Sequence, residues 1–179
     1  MKNLRQSCLI ILLLMLAACS TFGTRTVSIS EAEIQTKLAE QLSAPITLLK
    51  LFDVQLSNPL VKLEGGTNRM STQLDANVQN PFGKAFKGQA RISGLPRFDA
   101  ATNSVVLSEV KIVSLKFDGL DSKYTDVLTA LSKAISNDML QDIPLYTLKP
   151  NDLKNGSTTY QPSDFKVSGK QLQVTLTPQ

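Results

Sequence analysis

Cys19 is the residue of this chain with the best-defined chemistry. It closes the run Leu16-Ala17-Ala18-Cys19, which matches the lipobox that bacterial lipoproteins present to their processing peptidase, with the cysteine thiol as acceptor of a diacylglycerol. Ahead of it, Lys2 and Arg5 precede an apolar segment from Leu9 to Leu16, the pattern of a signal peptide. That segment falls short of the roughly 20 apolar residues a permanent spanning helix needs, so cleavage before Cys19 is expected. Two chains on the sulfur and one on the new amine would anchor the product stably, since one acyl chain alone binds only marginally. The expected division is a lipoprotein signal peptide over 1–18, the lipidated cysteine and a tether over 19–29, and a single domain over 30–179. Ser20 follows, not the aspartate that generally retains lipoproteins in the inner membrane, so the expected place is the outer membrane, on its periplasmic face. The competing reading is a plain secretory signal with a chance cysteine.

Other chemistry is scarce. The chain has no histidine, which removes the usual Ser-His and Cys-His nucleophile pairs and the commonest metal ligand. With Cys8 lost in the leader and Cys19 lipidated, the mature domain has neither a disulfide nor a free thiol. Ser163 and Lys166 have the Ser-x-x-Lys spacing of some penicillin-recognising enzymes, but they enter a predicted strand where that motif needs a helix start, and its companion motifs are absent. Asn155-Gly156-Ser157 reads as a turn. No enzymatic activity, cofactor or metal is expected. Removing Lys2 and Arg5 from 19 basic residues leaves 17 against 15 acidic ones, without a basic cluster interleaved with aromatics, so nucleic acid is not an expected partner.

The elements that would position a site follow from periodicity. Ser30 and Glu33 have capping-box spacing, and Ile34, Leu38 and Leu42 recur every four residues, predicting a first helix over about 30 to 42, before Pro45. From Ile46 the period is two, punctuated at Asn58-Pro59, Gly65-Gly66, Asn80-Pro81-Phe82-Gly83, Leu95-Pro96 and Asn103, which predicts an antiparallel meander. Its clearest strand is Arg69 to Gln79, with Met70, Thr72, Leu74, Ala76 and Val78 on the inner face. Phe86, Gly88, Ala90, Ile92 and Gly94 repeat that arrangement on the next strand. The apolar parity slips between Ser104 and Phe117, so a bulge near Ser108-Glu109 or burial on both faces is expected. A longer helix opening at Asp121 or Ser122 carries Tyr124, Val127, Leu128, Leu131, Ala134, Ile135 and Met139 on one stripe. Pro144, a strand over Leu145 to Leu148 and a hairpin from Phe165 to Leu176 turning at Ser168-Gly169 complete the chain.

The expected fold class is α+β, a highly curved antiparallel sheet wrapped around a long helix, with a short N-terminal helix. Small residues at Ala76, Gly88, Ala90 and Gly94 would leave room between helix and sheet for an apolar ligand, or would mark bends in a sheet whose interior the helix fills. On the first reading the lining is Leu74, Ala76, Val78, Phe86, Ala90, Ile92, Val110, Ile112, Leu128, Leu131 and Ile135, and a bulky Ala90→Trp displaces the ligand without unfolding the domain. Phe82 and Phe86 are candidates to gate the opening.

Three stretches carry a family resemblance: Thr26 to Ile34 at the first-helix entry, Ser93-Gly94-Leu95-Pro96-Arg97-Phe98-Asp99 at a turn, and Val105 to Val110 in the strand that follows. With these the chain resembles the YceB-like periplasmic lipoproteins, a family of unknown function. The resemblance implies a fold of the tubular lipid-binding kind, with lipid tails between a long helix and a curved sheet. The expected function is a membrane-anchored lipoprotein that binds a lipid or other apolar ligand in that tube. The alternative is an envelope interaction or scaffold lipoprotein with a filled core, a protein partner and no ligand.

Overall fold

The computed structural model describes residues 23–119 and 124–179, so the leader, Cys19 and the predicted helix start at Asp121 or Ser122 lie outside the described residues. Strand β1 (Arg25–Ser30) leads into helix α1 (Glu31–Gln41). Then come β2 (Ile46–Leu48), β3 (Phe52–Glu64), β4 (Arg69–Gln79), β5 (Ala85–Asp99) and β6 (Ser104–Phe117). Helix α2 (Thr125–Ala134) runs into a π-helical turn, Ile135–Met139, and β7 (Ile143–Thr147), β8 (Lys154–Asn155), β9 (Thr158–Ser168) and β10 (Gln171–Pro178) follow.

The meander is present: β2 through β7 form a six-stranded sheet in which each strand pairs antiparallel with its successor. A second sheet has the order β1-β10-β9-β8, and both curl into half-barrels. Residues 25–29, expected in the tether, thus belong with Ser30 to a full strand paired along β10 from Arg25↔Leu176 to Ser30↔Gln171. One apolar core joins the sheets, with Ile29, Leu172, Val174 and Leu176 from the smaller sheet meeting Leu56, Leu74 and Ile92 from the larger.

The expected α+β class is corrected to a mostly β fold, with no long helix inside a wrapped sheet among the described residues. Ten residues of α2 rise about 15 Å at ~1.5 Å each, whereas the 15 residues of β5 extend about 50 Å at ~3.3 Å each. The helix is too short to accompany the sheet. Its stripe is also split: Leu131, Ala134 and Ile135 are buried, whereas Tyr124 and Val127 are exposed. Continuous periodicity over Tyr124 to Met139 conceals the change to π-helical winding, which has no strong sequence signal.

The interior is instead filled by pairing. Across β3 to β6 each small residue has a large one on at least one side: Ala90 lies between Leu74 and Leu115, Gly94 opposite Met70, Gly88 opposite Phe117, and Ala76 opposite Leu56. A Cβ on Gly94 would meet the Leu107 side chain at 2.7 Å, and one on Gly88 would collide with the Lys116 carbonyl and the Phe117 ring. These glycines admit neighbouring groups and leave no void. Ala90 is 1% exposed, which corrects the reading of Ala90→Trp. Overpacking costs typically 1–3 kcal/mol and occasionally more, so this variant should lose at least about 2 kcal/mol in urea unfolding.

Local signals place the other elements. In the capping box the Ser30 hydroxyl accepts from Glu33 N–H at 3.3 Å while the Glu33 carboxylate accepts from Ser30 N–H at 2.8 Å. The Ser30 N–H bond and then the Ser30 hydroxyl, which donates to Glu33 Oε2 at 2.8 Å, hold the Glu33 carboxyl below its ordinary pKa. The resulting stability is present above the ordinary carboxylate range and fades as pH falls through the lowered folded value. Ser30→Ala should cost about 1 kcal/mol at neutral pH and reduce this part of the pH dependence, the share of the main-chain N–H bond remaining.

Helix α1 also covers a sheet edge. Strand β2 pairs only with Phe52 to Val54, and farther along β3 the N–H groups of Leu63 and Val61 donate to Glu31 Oε1 at 2.8 Å and Gln35 Oε1 at 3.4 Å. Open edges invite pairing with another chain, and this cover removes part of the opportunity. The parity slip in β6 is a bulge with Glu109 at φ 47°, joined by a second register shift that turns Val113 outward. Pro144 lies within β7, an edge strand, where its missing donor is tolerated. On the inner face of β4, Thr72 is 1% exposed and its hydroxyl has no partner among the described residues. An unpaired buried hydroxyl costs about 1–3 kcal/mol, so Thr72→Val should raise unfolding free energy by about 1 kcal/mol.

Candidate functional site

One end of the six-stranded sheet brings four segments together. The β2–β3 turn supplies Leu51 and Phe52, the β4–β5 loop supplies Asn80, Pro81, Phe82 and Lys84, the end of β6 supplies Phe117, and α2 with its preceding residue supplies Tyr124, Val127, Leu128 and Leu131. With Val78 and Phe86 from the sheet they line a groove of about 460 Å³, open on one side. Small-ligand pockets span about 300–1,000 Å³ and are mostly apolar with a few polar groups. Among the described residues the charged lining residue here is Lys84, whose ammonium lies 5.0 Å from the centre of the Phe86 ring. A cation over an aromatic face is held electrostatically.

The order of this groove is built into the loops. Asn80 Oδ1 accepts from Phe82 N–H at 3.0 Å and Lys84 N–H at 2.9 Å, an Asx turn that fixes the β4–β5 tip. Gly83, at φ 77°, supplies the left-handed residue the turn requires. Leu51 N–H closes the β2–β3 turn on the Leu48 carbonyl at 3.1 Å, with Leu49 and Lys50 at φ 54° and 57°. Deeper in, Gly88 lets the Phe117 ring lie against the sheet.

Of the eleven residues named from parity, Val78, Phe86, Leu128 and Leu131 line this groove. Leu74, Ala76, Ala90, Ile92, Val110 and Ile135 are buried in the core, with Ile112 packed against it. Leu51, Phe52, Pro81, Phe117, Tyr124 and Val127 carry much of the wall and are absent from the parity set, as are Asn80 and Lys84. Strand parity separates inside from outside but does not tell which end of a sheet is left open. The sequence signal was an aromatic in the Asn80-Pro81-Phe82-Gly83 turn, where apolar bulk serves no core. Phe82 is 93% exposed, at the rim.

Ser163 and Lys166 lie in β9, a strand, and the Ser163 hydroxyl donates to the Thr175 carbonyl at 3.3 Å. Among the described residues no group of three or more His, Cys, Asp or Glu side chains is arranged to hold a metal, and no helix is long and apolar enough to cross a membrane.

Residues 29–171 match a family described as "Protein of unknown function (DUF1439)". A crystal structure of lipopolysaccharide binding protein aligns over 86% of this chain at 11% identity with a TM-score of 0.29, and the chain spans 40% of that protein's length. None of the curated proteins matches the chain.

Proposed function

The chain belongs to the DUF1439 family, whose function is unknown, and from that premise we propose that it is a lipid-anchored envelope protein that takes an acyl chain with an anionic head into the groove between α2 and the end of the large sheet. The observation that carries this reading is the groove's chemistry: an apolar wall of about 460 Å³ in which, among the described residues, the charged lining residue is one lysine, Lys84. An acyl chain moving into it transfers apolar surface out of water, worth about 25 cal/mol per Å² before ordering costs. Lys84 offers three ammonium donors for a carboxylate or phosphate head. No covalent step is required, and the protein acts as carrier or sensor.

The anchor in this proposal is Cys19, at the periplasmic face of the outer membrane. With β1 beginning at Arg25, the five residues 20–24 reach about 18 Å when fully extended at ~3.5 Å each, which keeps the domain beside its membrane. A second reading, an envelope scaffold that presents the same apolar rim to a protein partner, is favoured by the exposure of Leu51 and Phe82.

The test is a titration of the full chain carrying Cys19→Ser, which cannot be acylated there, with a polyene fatty acid whose fluorescence rises in apolar surroundings. Saturable binding near one per chain, reversed by palmitate, is expected. Absence of a saturable response overturns lipid binding in this groove.

A further inference from the structure

Seven large apolar side chains are exposed among the described residues: Leu49, Leu51, Leu60, Phe82, Val113, Tyr124 and Val127. Five of them, all but Leu60 and Val113, belong to the segments that surround the groove. Leu49 is 45% exposed, Leu51 56% and Phe82 93%, each on a tip whose backbone is fixed by hydrogen bonds. The β2–β3 tip accepts two successive non-glycine residues in the left-handed region, Leu49 and Lys50, a conformation β-carbons disfavour. The core gains nothing from holding these leucines outward.

The charges on the tips have one sign. Residues 48–52, Leu-Leu-Lys-Leu-Phe, and 80–84, Asn-Pro-Phe-Gly-Lys, carry Lys50 and Lys84 and no acidic residue. The next acidic side chain after the first tip, Asp53, accepts from the Thr47 hydroxyl at 2.6 Å. Apolar points flanked by lysines suit the boundary between acyl chains and anionic headgroups, where apolar side chains enter the hydrocarbon and ammonium groups remain at phosphate level.

We propose that the β2–β3 and β4–β5 tips dock this end of the molecule onto an anionic lipid bilayer, with Leu49, Leu51 and Phe82 inserted and Lys50 and Lys84 on the headgroups. Both tips line the groove, so an acyl chain would pass between bilayer and groove without crossing water; this purpose rests on the lipid-binding reading above. Protruding apolar points fit a fluid surface, whereas a protein partner would have to supply a matching socket for each.

The chain has no tryptophan, so Phe82→Trp installs a single indole at the tip. The full chain with Cys19→Ser and Phe82→Trp is mixed with vesicles of phosphatidylethanolamine and phosphatidylglycerol, some brominated in their acyl chains. A blue-shifted emission quenched by the brominated lipid is expected, weaker with phosphatidylcholine alone. Adding Lys50→Glu and Lys84→Glu should weaken this response about tenfold or more. Val113→Trp, in place of Phe82→Trp, should retain solvent-like emission on the same vesicles, which controls for attachment through the N-terminal apolar segment. Solvent-like emission from the Phe82→Trp chain on vesicles overturns the proposal, as does equal quenching at both positions, or a shift produced only by concentrating the chain, which would assign the tips to self-association. Docking lost while fatty-acid binding persists overturns this proposal alone. Docking retained without fatty-acid binding overturns the groove's function alone.

Discussion

Leu128→Arg is expected to weaken fatty-acid binding at least about 100-fold while leaving the fold in place. Leu128 is half-buried on the groove face of α2, so an arginine there puts a guanidinium against Val78, Phe86 and Phe117 or fills the groove with its stem. Excluding water from that charge to seat an acyl chain costs several kcal/mol, and about 2.7 kcal/mol is already 100-fold in affinity. Arginine is a good helix former, and the residues that fix α2 to the core, Leu131, Ala134 and Ile135, are untouched. The fluorescent fatty-acid titration reads the affinity, and a thermal melt of the same sample should move by no more than a few degrees. Unchanged affinity in the folded variant removes the groove from the account.

Gly88→Ala should produce the largest stability loss of any single methyl added to the sheet. The new Cβ would fall on the backbone carbonyl of Lys116 and within 2.7 Å of the Phe117 ring. Backbone cannot rotate away as a flexible side chain can, so β5 and β6 must separate locally. A loss of about 3 kcal/mol or more is expected, which for a domain of this size lowers the melting temperature by at least about 6–12 °C. The displaced Phe117 also lines the groove, so fatty-acid affinity should fall together with stability. Gly65→Ala is the internal comparison, since its Cβ would meet no atom nearer than 3.5 Å and its backbone needs no left-handed residue. That variant should stay within about 0.5 kcal/mol of the parent, both values read by urea unfolding.

These two expectations mark where sequence reasoning held and where it stopped. Alternation from Arg69 to Gln79 and the Ser30–Glu33 capping box have local causes, and both elements lie where their patterns place them. The turn at Ser168-Gly169 is likewise local, with Gly169 at φ 58°. The second helix needed more. Its stripe gave the face, yet neither its end at the π-helical turn nor the outward pointing of Tyr124 and Val127 follows from periodicity, because both depend on what lies opposite. The small residues were the hardest to read. Ala90 and Gly88 look like space until Leu74, Leu115 and Phe117 are seen across the strands, and interior volume is a property of such pairs. The ligand-binding residues inferred from parity therefore divide, with Val78, Phe86, Leu128 and Leu131 at the groove and most of the rest in the packed interior. Phe82, weighed as a gate, stands at the rim because the Asx turn of Asn80 holds it there.

The most direct test of lipid binding is native mass spectrometry of the full chain carrying Cys19→Ser, produced in a bacterial host and followed by organic extraction of the bound material. The account predicts a non-covalent adduct near one per chain that leaves on extraction, contains an acyl chain with an anionic head, and disappears in Leu128→Arg. A bare protein mass that stays bare after incubation with mixed envelope lipids, or an adduct unchanged by Leu128→Arg, contradicts it.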